Sequence, residues 1–93
     1  MTRETKTVTE AQLAALIDAG AILRAFIIED GDGAFHILAR SVKQIDHRIT
    51  LKRGGFRTFR TIDAAAKLLR QLGISRIELH MNEYAPGNAP LLS

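Results

Sequence analysis

The sequence predicts an α+β fold, a two-layer domain in which a mostly antiparallel sheet of four to five strands carries two helices on one face. Residues 48–52 and 76–81 alternate apolar and polar side chains, which is typical of strands with one buried face. Two segments place apolar residues at helical spacing between a threonine and a glycine. Glycine pairs and Asp-Gly pairs indicate turns between strands. The predicted order of elements is α-β-β-β-β-α-β.

The first helix is predicted for residues 10–19. Thr9 and Gln12 fit a capping box, in which the threonine oxygen accepts a hydrogen bond from a first-turn amide and the glutamine side chain bonds back to the cap residue. Gly20 is suited to end the helix, because glycine adopts the left-handed conformation that follows many helices. A helix this short is stable only when it packs on the rest of the domain.

Two central strands are predicted for residues 22–30 and 34–40, which contain continuous runs of large and β-branched apolar residues. Residues 30–33, Asp-Gly-Asp-Gly, are expected to form a tight hairpin turn, because the further oxygen ligands of a calcium loop are missing. Such runs fit strands that are covered on both faces, or covered on one face while the other mediates dimerisation. We therefore expect a homodimer.

A basic hairpin follows, with strands at residues 48–52 and 56–60 and a glycine turn between them. The register that keeps apolar residues together loops out residues 53 and 54 and places Leu51 opposite Phe56. This register directs to the outer face Arg48, Lys52, Arg57 and Phe59.

The second helix begins after Thr61, whose hydroxyl suits the N-cap position, and ends at Gly73. Its apolar stripe predicts that it packs on the sheet. A closing strand at residues 76–81 follows, with alternate side chains buried. Residues 82–93, which contain both prolines of the chain, are expected to form an extended tail.

One domain is expected from 93 residues. We place it at residues 8–81, after a mobile N-terminal lead at residues 1–7 that is rich in charge and poor in apolar side chains. The absence of cysteine excludes disulfides and thiolate metal sites. No apolar run approaches the ~20 residues that span a bilayer, and the N-terminus is polar. We therefore expect a cytoplasmic protein without membrane contact.

Positive charge is concentrated in the middle of the chain. The formal net charge is +3, but residues 40–60 contain seven Lys and Arg residues against one acid, Asp46. The rest of the chain is mildly acidic. This asymmetry suggests an anionic partner for the basic segment, although a solvated face opposed by acids of another subunit is an equally physical account.

The basic hairpin is the candidate binding site. A two-stranded ribbon with outward Arg and Lys can enter a major groove or follow a phosphate backbone, and a threonine can add a neutral hydrogen bond. An acidic protein is the alternative partner, and protection of a sheet edge against aggregation is the structural alternative. The candidate nucleic-acid-binding residues are Arg48, Thr50, Lys52, Arg53, Arg57 and Arg60.

The sequence favours a protein that is not an enzyme and needs no cofactor. It has no nucleophile elbow, no phosphate-binding loop and no pair of carboxylates that must share a site. His36, His47 and His80 are too far apart in the chain to form a local metal site, and no third ligand accompanies any two of them.

Residues 52–65, followed by residues 68–74 and by Arg76-Ile77-Glu78, resemble the C-terminal half of small plasmid-borne, partition-associated proteins of ParC type. The shared residues are mostly those that build a hairpin, a helix cap and a helix stop, so the resemblance concerns the fold and provides no motif of binding residues. It implies a bacterial accessory protein of plasmid maintenance or transfer that acts through DNA or protein contacts without catalysis.

Overall fold

Five strands and two helices make up the computed structural model, which describes residues 4–81. In chain order they are β1 (Thr5–Val8), α1 (Glu10–Asp18), β2 (Ile22–Glu29), β3 (Phe35–Ser41), β4 (Asp46–Ile49), α2 (Ile62–Gln71) and β5 (Glu78–His80). The predicted α+β class, with a five-stranded sheet and two helices, is confirmed. The order differs from the predicted one in two places, at the N-terminus and after the basic turn.

The strands lie side by side in the order β1-β4-β3-β2-β5. The three middle strands form an antiparallel meander, in which Ile27 pairs with Ile37 and Ala39 with His47. Strands β1 and β5 add to its two edges by parallel pairing, β1 with β4 and β5 with β2. The prediction that β2 and β3 are central is confirmed, and the sheet is mixed because both of its edge pairs are parallel.

Strand β1 contains residues 5–7 of the segment 1–7 that we expected to be a mobile lead, and residues 1–3 of that segment lie outside the described residues. Thr5–Val8 pairs along β4, where the Asp46 amide donates to the Glu4 carbonyl at 3.0 Å and the Thr50 amide donates to the Val8 carbonyl at 2.8 Å. Val8 is buried. A polar segment can form an edge strand because backbone hydrogen bonds and one inward side chain hold it there. The predicted tail at residues 82–93 lies outside the described residues.

Both helices begin at the predicted caps. The Gln12 amide donates to Thr9 Oγ1 at 3.1 Å and the Thr9 amide donates to Gln12 Oε1 at 2.8 Å, which completes the capping box of α1. The Ala64 amide donates to Thr61 Oγ1 at 3.1 Å at the start of α2. Gly73 follows α2 with φ of 103°, a conformation that favours glycine.

The core lies between the helices and one face of the sheet. Its five largest fully buried side chains come from both helices and all three central strands, and they are Leu13, Ile27, Ile37, Ile49 and Leu69. Residues alternate along β3, so that Phe35, Ile37 and Ala39 are buried in this core while His36 and Leu38 point to the other face. Both helices therefore cover the same face of the sheet, as predicted.

The second strand of the basic hairpin is not formed. Two isolated bridges, Thr50 with Phe56 and Phe35 with Phe59, replace the strand predicted at residues 56–60. The Phe59 and Phe35 backbones exchange two hydrogen bonds, at 2.7 and 2.8 Å. Phe59 thus lies beside the start of β3, where a longer β4 would otherwise run, and its side chain is buried in the core. The predicted outward position of Phe59 is wrong.

The predicted hairpin register is also wrong by one residue, because Phe56 faces Thr50 instead of Leu51. The burial of Phe59 in the core accounts for this register. With Phe59 held beside Phe35, Phe56 comes to lie opposite Thr50. Leu51 and Phe56 are both about half exposed. In the closing strand, Leu79 and Met81 are also exposed, because β5 is an edge strand and its predicted buried face is only partly covered.

Candidate binding surface at the basic turn

Residues 52–55, which we call the basic turn, connect β4 to the segment that leads into α2. The Gly54 amide donates to the Leu51 carbonyl and the Leu51 amide donates to the Gly55 carbonyl, both at 3.0 Å. Gly54 and Gly55 have φ of 89° and 80°, values that residues other than glycine rarely adopt. Lys52 and Arg53 are both exposed on this turn. The turn therefore presents two adjacent, exposed cations.

The other predicted site residues are dispersed. Arg60 is exposed just before α2, beside Thr61 and Asp63. Arg48 is half-buried, and its guanidinium carbon lies 4.1 Å from the centre of the Phe56 ring. Its Nε is buried without a hydrogen-bond partner among residues 4–81. Arg48 therefore packs on an aromatic ring instead of projecting freely into solvent.

Two predicted site residues have structural partners. Thr50 Oγ1 donates to the Val8 carbonyl at 3.3 Å, which ties β4 to β1. Arg57 Nη1 lies 2.6 Å from Glu10 Oε2, and the guanidinium also lies 5.0 Å from the centre of the Phe59 ring. Of the six predicted residues, the structure leaves Lys52, Arg53 and Arg60 exposed, and it places only the first two next to each other.

Glu10 is a site residue that sequence reasoning missed. It begins α1, 47 positions before Arg57, and no local pattern connects the two. The pairing arises because β1 places the start of α1 next to the end of β4. It neutralises one cation of the basic segment on a surface where both partners remain partly exposed, so the pair adds little to stability.

A groove opens beside the basic turn, between α1 and the end of β4. Its volume is about 560 Å³, within the range of ligand pockets. Its apolar lining comes from Ala11, Ala14, Ile49, Leu51 and Leu72, and its polar rim from Thr9, Glu10, Thr50, Lys52 and Arg57. We call this feature the groove. Its presence could not be read from the sequence, because it joins segments that are distant along the chain.

On the sheet face opposite the helices, which we call the open face, polar side chains of the chain itself cover the central aromatic residue, Phe26. Phe26 is only 3% exposed, because the Arg40 guanidinium lies 4.7 Å from its ring centre and the His80 ring packs edge-on at 5.3 Å. Arg40 also donates to both carboxylate oxygens of Asp46, at 2.8 and 3.3 Å. These hydrogen bonds are the main cause of the raised pKa of Arg40.

The open face therefore differs from the apolar face on which we based the expected homodimer. Its central aromatic residue is buried under Arg40 and His80, and the two large apolar residues that are more than half exposed within the described part of the chain, Leu23 and Val42, lie near the start of β2 and just after β3. Dimerisation stays a prediction.

His36 lies on the open face with its side chain 11% exposed. Its Nδ1 is 2.9 Å from Asp30 Oδ1, so that the neutral ring with hydrogen on Nδ1 donates to the carboxylate. Burial, together with the positive charge of Arg48, lowers the pKa of His36 below its usual value, and the opposing effect of Asp30 is smaller. The histidine is therefore held neutral at neutral pH.

We expect the stability of the fold to decrease on acidification because of His36. The pKa of His36 is lower in the folded chain than in the unfolded chain, where it is about 6.5. Above that pH both states are neutral at His36. As the pH falls from about 6.5 through the folded pKa, the unfolded chain binds a proton first, so the free energy of unfolding decreases. Urea midpoints at pH 7.5 and 5.5 should differ more for the wild type than for His36→Gln. Equal differences in the two proteins would contradict this assignment.

Other chemistry is limited in the part of the chain that the structure describes. Among residues 4–81, no group of three or more His, Cys, Asp or Glu side chains could hold a metal ion. His80 pairs with Glu78 at 2.7 Å. No helix within that range has the length and apolar character needed to cross a membrane.

Comparison with known proteins gives one match. A family model described as ParC-like matches residues 8–88. This match includes the first helix and the two central strands as well as the C-terminal half on which the sequence resemblance rested. No curated protein and no solved structure matches the sequence.

Proposed function

The chain belongs to the ParC-like family, and from this premise we propose that it is a non-enzymatic accessory protein of plasmid partition that binds nucleic acid through the basic turn. The observation that carries the proposal is the pair of exposed, adjacent cations Lys52 and Arg53. Neither has an acidic partner among the residues that the structure describes. Two adjacent, exposed cations are suited to contact phosphate oxygens.

The surroundings of the turn support this role. Arg60 is exposed further along the same segment, and Arg48 packs on the ring of Phe56, which follows the turn. Arg57 contributes less than the sequence suggests, because Glu10 occupies its guanidinium. The binding set we propose is therefore Lys52 and Arg53 in contact with phosphates, with Arg60 and Arg48 adding to the positive field. Thr50 is bonded to β1 and has a structural role.

The test is fluorescence anisotropy of labelled duplex DNA at low and moderate salt. We expect salt-dependent binding by the wild type and a loss of about tenfold or more for the Lys52→Ala/Arg53→Ala double variant, with a salt dependence shallower by about two phosphate contacts. The matched control is Lys67→Ala/Arg70→Ala, which removes the same charge from exposed positions on α2.

The control separates a local site from net charge. Equal losses in the two double variants would assign the binding to overall charge and not to the basic turn. Absence of binding by the wild type at low salt would contradict the nucleic-acid proposal and leave the acidic protein partner, which the half-exposed Leu51 and Phe56 on either side of the turn would fit.

A further inference from the structure

We propose that the groove binds a short acidic, amphipathic segment of a protein partner, with an apolar side chain seated between α1 and β4 and a carboxylate held at the rim. This site goes beyond the nucleic-acid role of the basic turn, although Lys52 belongs to both surfaces.

The lining of the groove is suited to apolar side chains. Ala11 and Ala14 provide small residues on α1, and Leu72, which follows α2, also lines the groove. Leu51 is 47% exposed although it borders the groove, so an incoming apolar side chain would remove its surface from water. A volume of about 560 Å³ accommodates one or two large side chains and no folded domain.

The rim selects an acidic ligand. Lys52 has no carboxylate partner within the described part of the chain. Arg57 holds the Glu10 carboxylate at 2.6 Å, which shows that the guanidinium is positioned to bind a carboxylate at this rim. Because both Arg57 and Glu10 are partly exposed, exchanging Glu10 for a carboxylate of the partner requires little free energy. Glu10 therefore acts as an internal competitor of the ligand.

The same features argue against nucleic acid as the occupant of the groove. Single-stranded nucleic acid binds to grooves that combine a row of cations with aromatic side chains for stacking. None of the groove's lining residues is aromatic, and its two cations share the rim with an acid. An acidic peptide segment with leucine-like anchors matches both the apolar lining and the charge of the rim.

The experiment uses three short fluorescein-labelled peptides and fluorescence anisotropy at moderate salt. The first alternates pairs of leucine and glutamate, the second replaces each glutamate by glutamine, and the third replaces each leucine by serine. We expect binding of the first peptide, and affinities at least about tenfold weaker for the other two, since the groove needs both the apolar anchor and the carboxylate.

Two matched variants locate the binding. Ala11→Gln introduces a longer polar side chain into the groove, and Ala15→Gln makes the same change at an exposed position of α1 that does not border it. We expect Ala11→Gln to weaken binding of the leucine–glutamate peptide by about tenfold and Ala15→Gln to leave it within about twofold. Glu10→Gln should strengthen binding roughly two- to fivefold, because it frees Arg57.

Equal effects of Ala11→Gln and Ala15→Gln, or equal binding of the serine and leucine peptides, would overturn the proposal. DNA binding measured on the same proteins keeps the two sites apart, because neither alanine variant changes the charge and both should retain wild-type DNA affinity. Sedimentation velocity tests a second copy as the occupant. A wild-type dimer that Ala11→Gln converts to monomer would assign the groove to self-association and contradict the peptide site.

Discussion

Replacing Leu69 with alanine is expected to lower the free energy of unfolding by about 3 kcal/mol. Leu69 is fully buried, at 0% exposure, on the face of α2 that packs into the core. The shorter side chain leaves a cavity bounded by the sheet, which collapses little around it because the three central strands are held by hydrogen bonds on both sides. The loss should appear as a lower midpoint of urea unfolding with an unchanged slope.

The control for this substitution is Leu79→Ala. Like Leu69, Leu79 is a leucine within regular secondary structure, but it lies on the edge strand β5 with 37% of its surface exposed. We expect Leu79→Ala to lower the free energy of unfolding by about 1 kcal/mol or less, because the Leu79 side chain buries less apolar surface on folding than Leu69 does. Comparable losses for the two variants would mean that α2 does not pack on the sheet as the structure shows.

Replacing Asp46 with alanine should lower the free energy of unfolding by about 3 kcal/mol, even though the residue is charged and outside the main core. Asp46 is 6% exposed and receives two hydrogen bonds from Arg40, whose guanidinium covers Phe26. Removing the carboxylate leaves a half-buried guanidinium without its acceptor, which is more costly than the loss of the attraction itself.

Glu10→Ala provides the comparison. Glu10 also pairs with an arginine, but its side chain is 47% exposed and that of Arg57 is 36% exposed, so the loss should be below about 1 kcal/mol. Urea unfolding of both variants at pH 7.5 measures the difference. A loss for Asp46→Ala as small as that for Glu10→Ala would show that Arg40 finds other acceptors or moves into solvent.

Local sequence signals predicted the helices well. The caps at Thr9 and Thr61 and the stop at Gly73 depend on hydrogen bonds and backbone conformations within four residues, so the residue pattern is sufficient to place them. The two central strands could also be predicted from the sequence, because long apolar runs are rarely found in edge strands. These elements account for the correct fold class.

Contacts between distant segments could not be predicted in the same way. Strand β1 has no apolar run, and its place depends on backbone pairing with β4 some forty residues later. The hairpin register depends on Phe59 packing beside Phe35, which no turn rule contains. Arg57 was predicted to contact a ligand, but it pairs with Glu10, because β1 brings the start of α1 next to it.

One missed pair did have a signal. Arg40 and Asp46 face each other across the turn that joins β3 and β4, and opposite charges flanking a predicted turn favour a cross-strand ion pair. The groove, by contrast, joins α1, β4 and the end of α2, so only the folded chain reveals it.

The parallel pairing at both edges of the sheet has a consequence for the order in which the chain assembles. The β2-β3-β4 meander closes through short connections, whereas β1 must find β4, and β5 must find β2, across long stretches of chain. Closing a longer loop has a larger entropic penalty, so the meander is expected to nucleate folding and both edge strands to join late. Since the start of α1 follows β1 directly, the groove is complete only after β1 has joined β4, and fraying of this edge is expected to disrupt it.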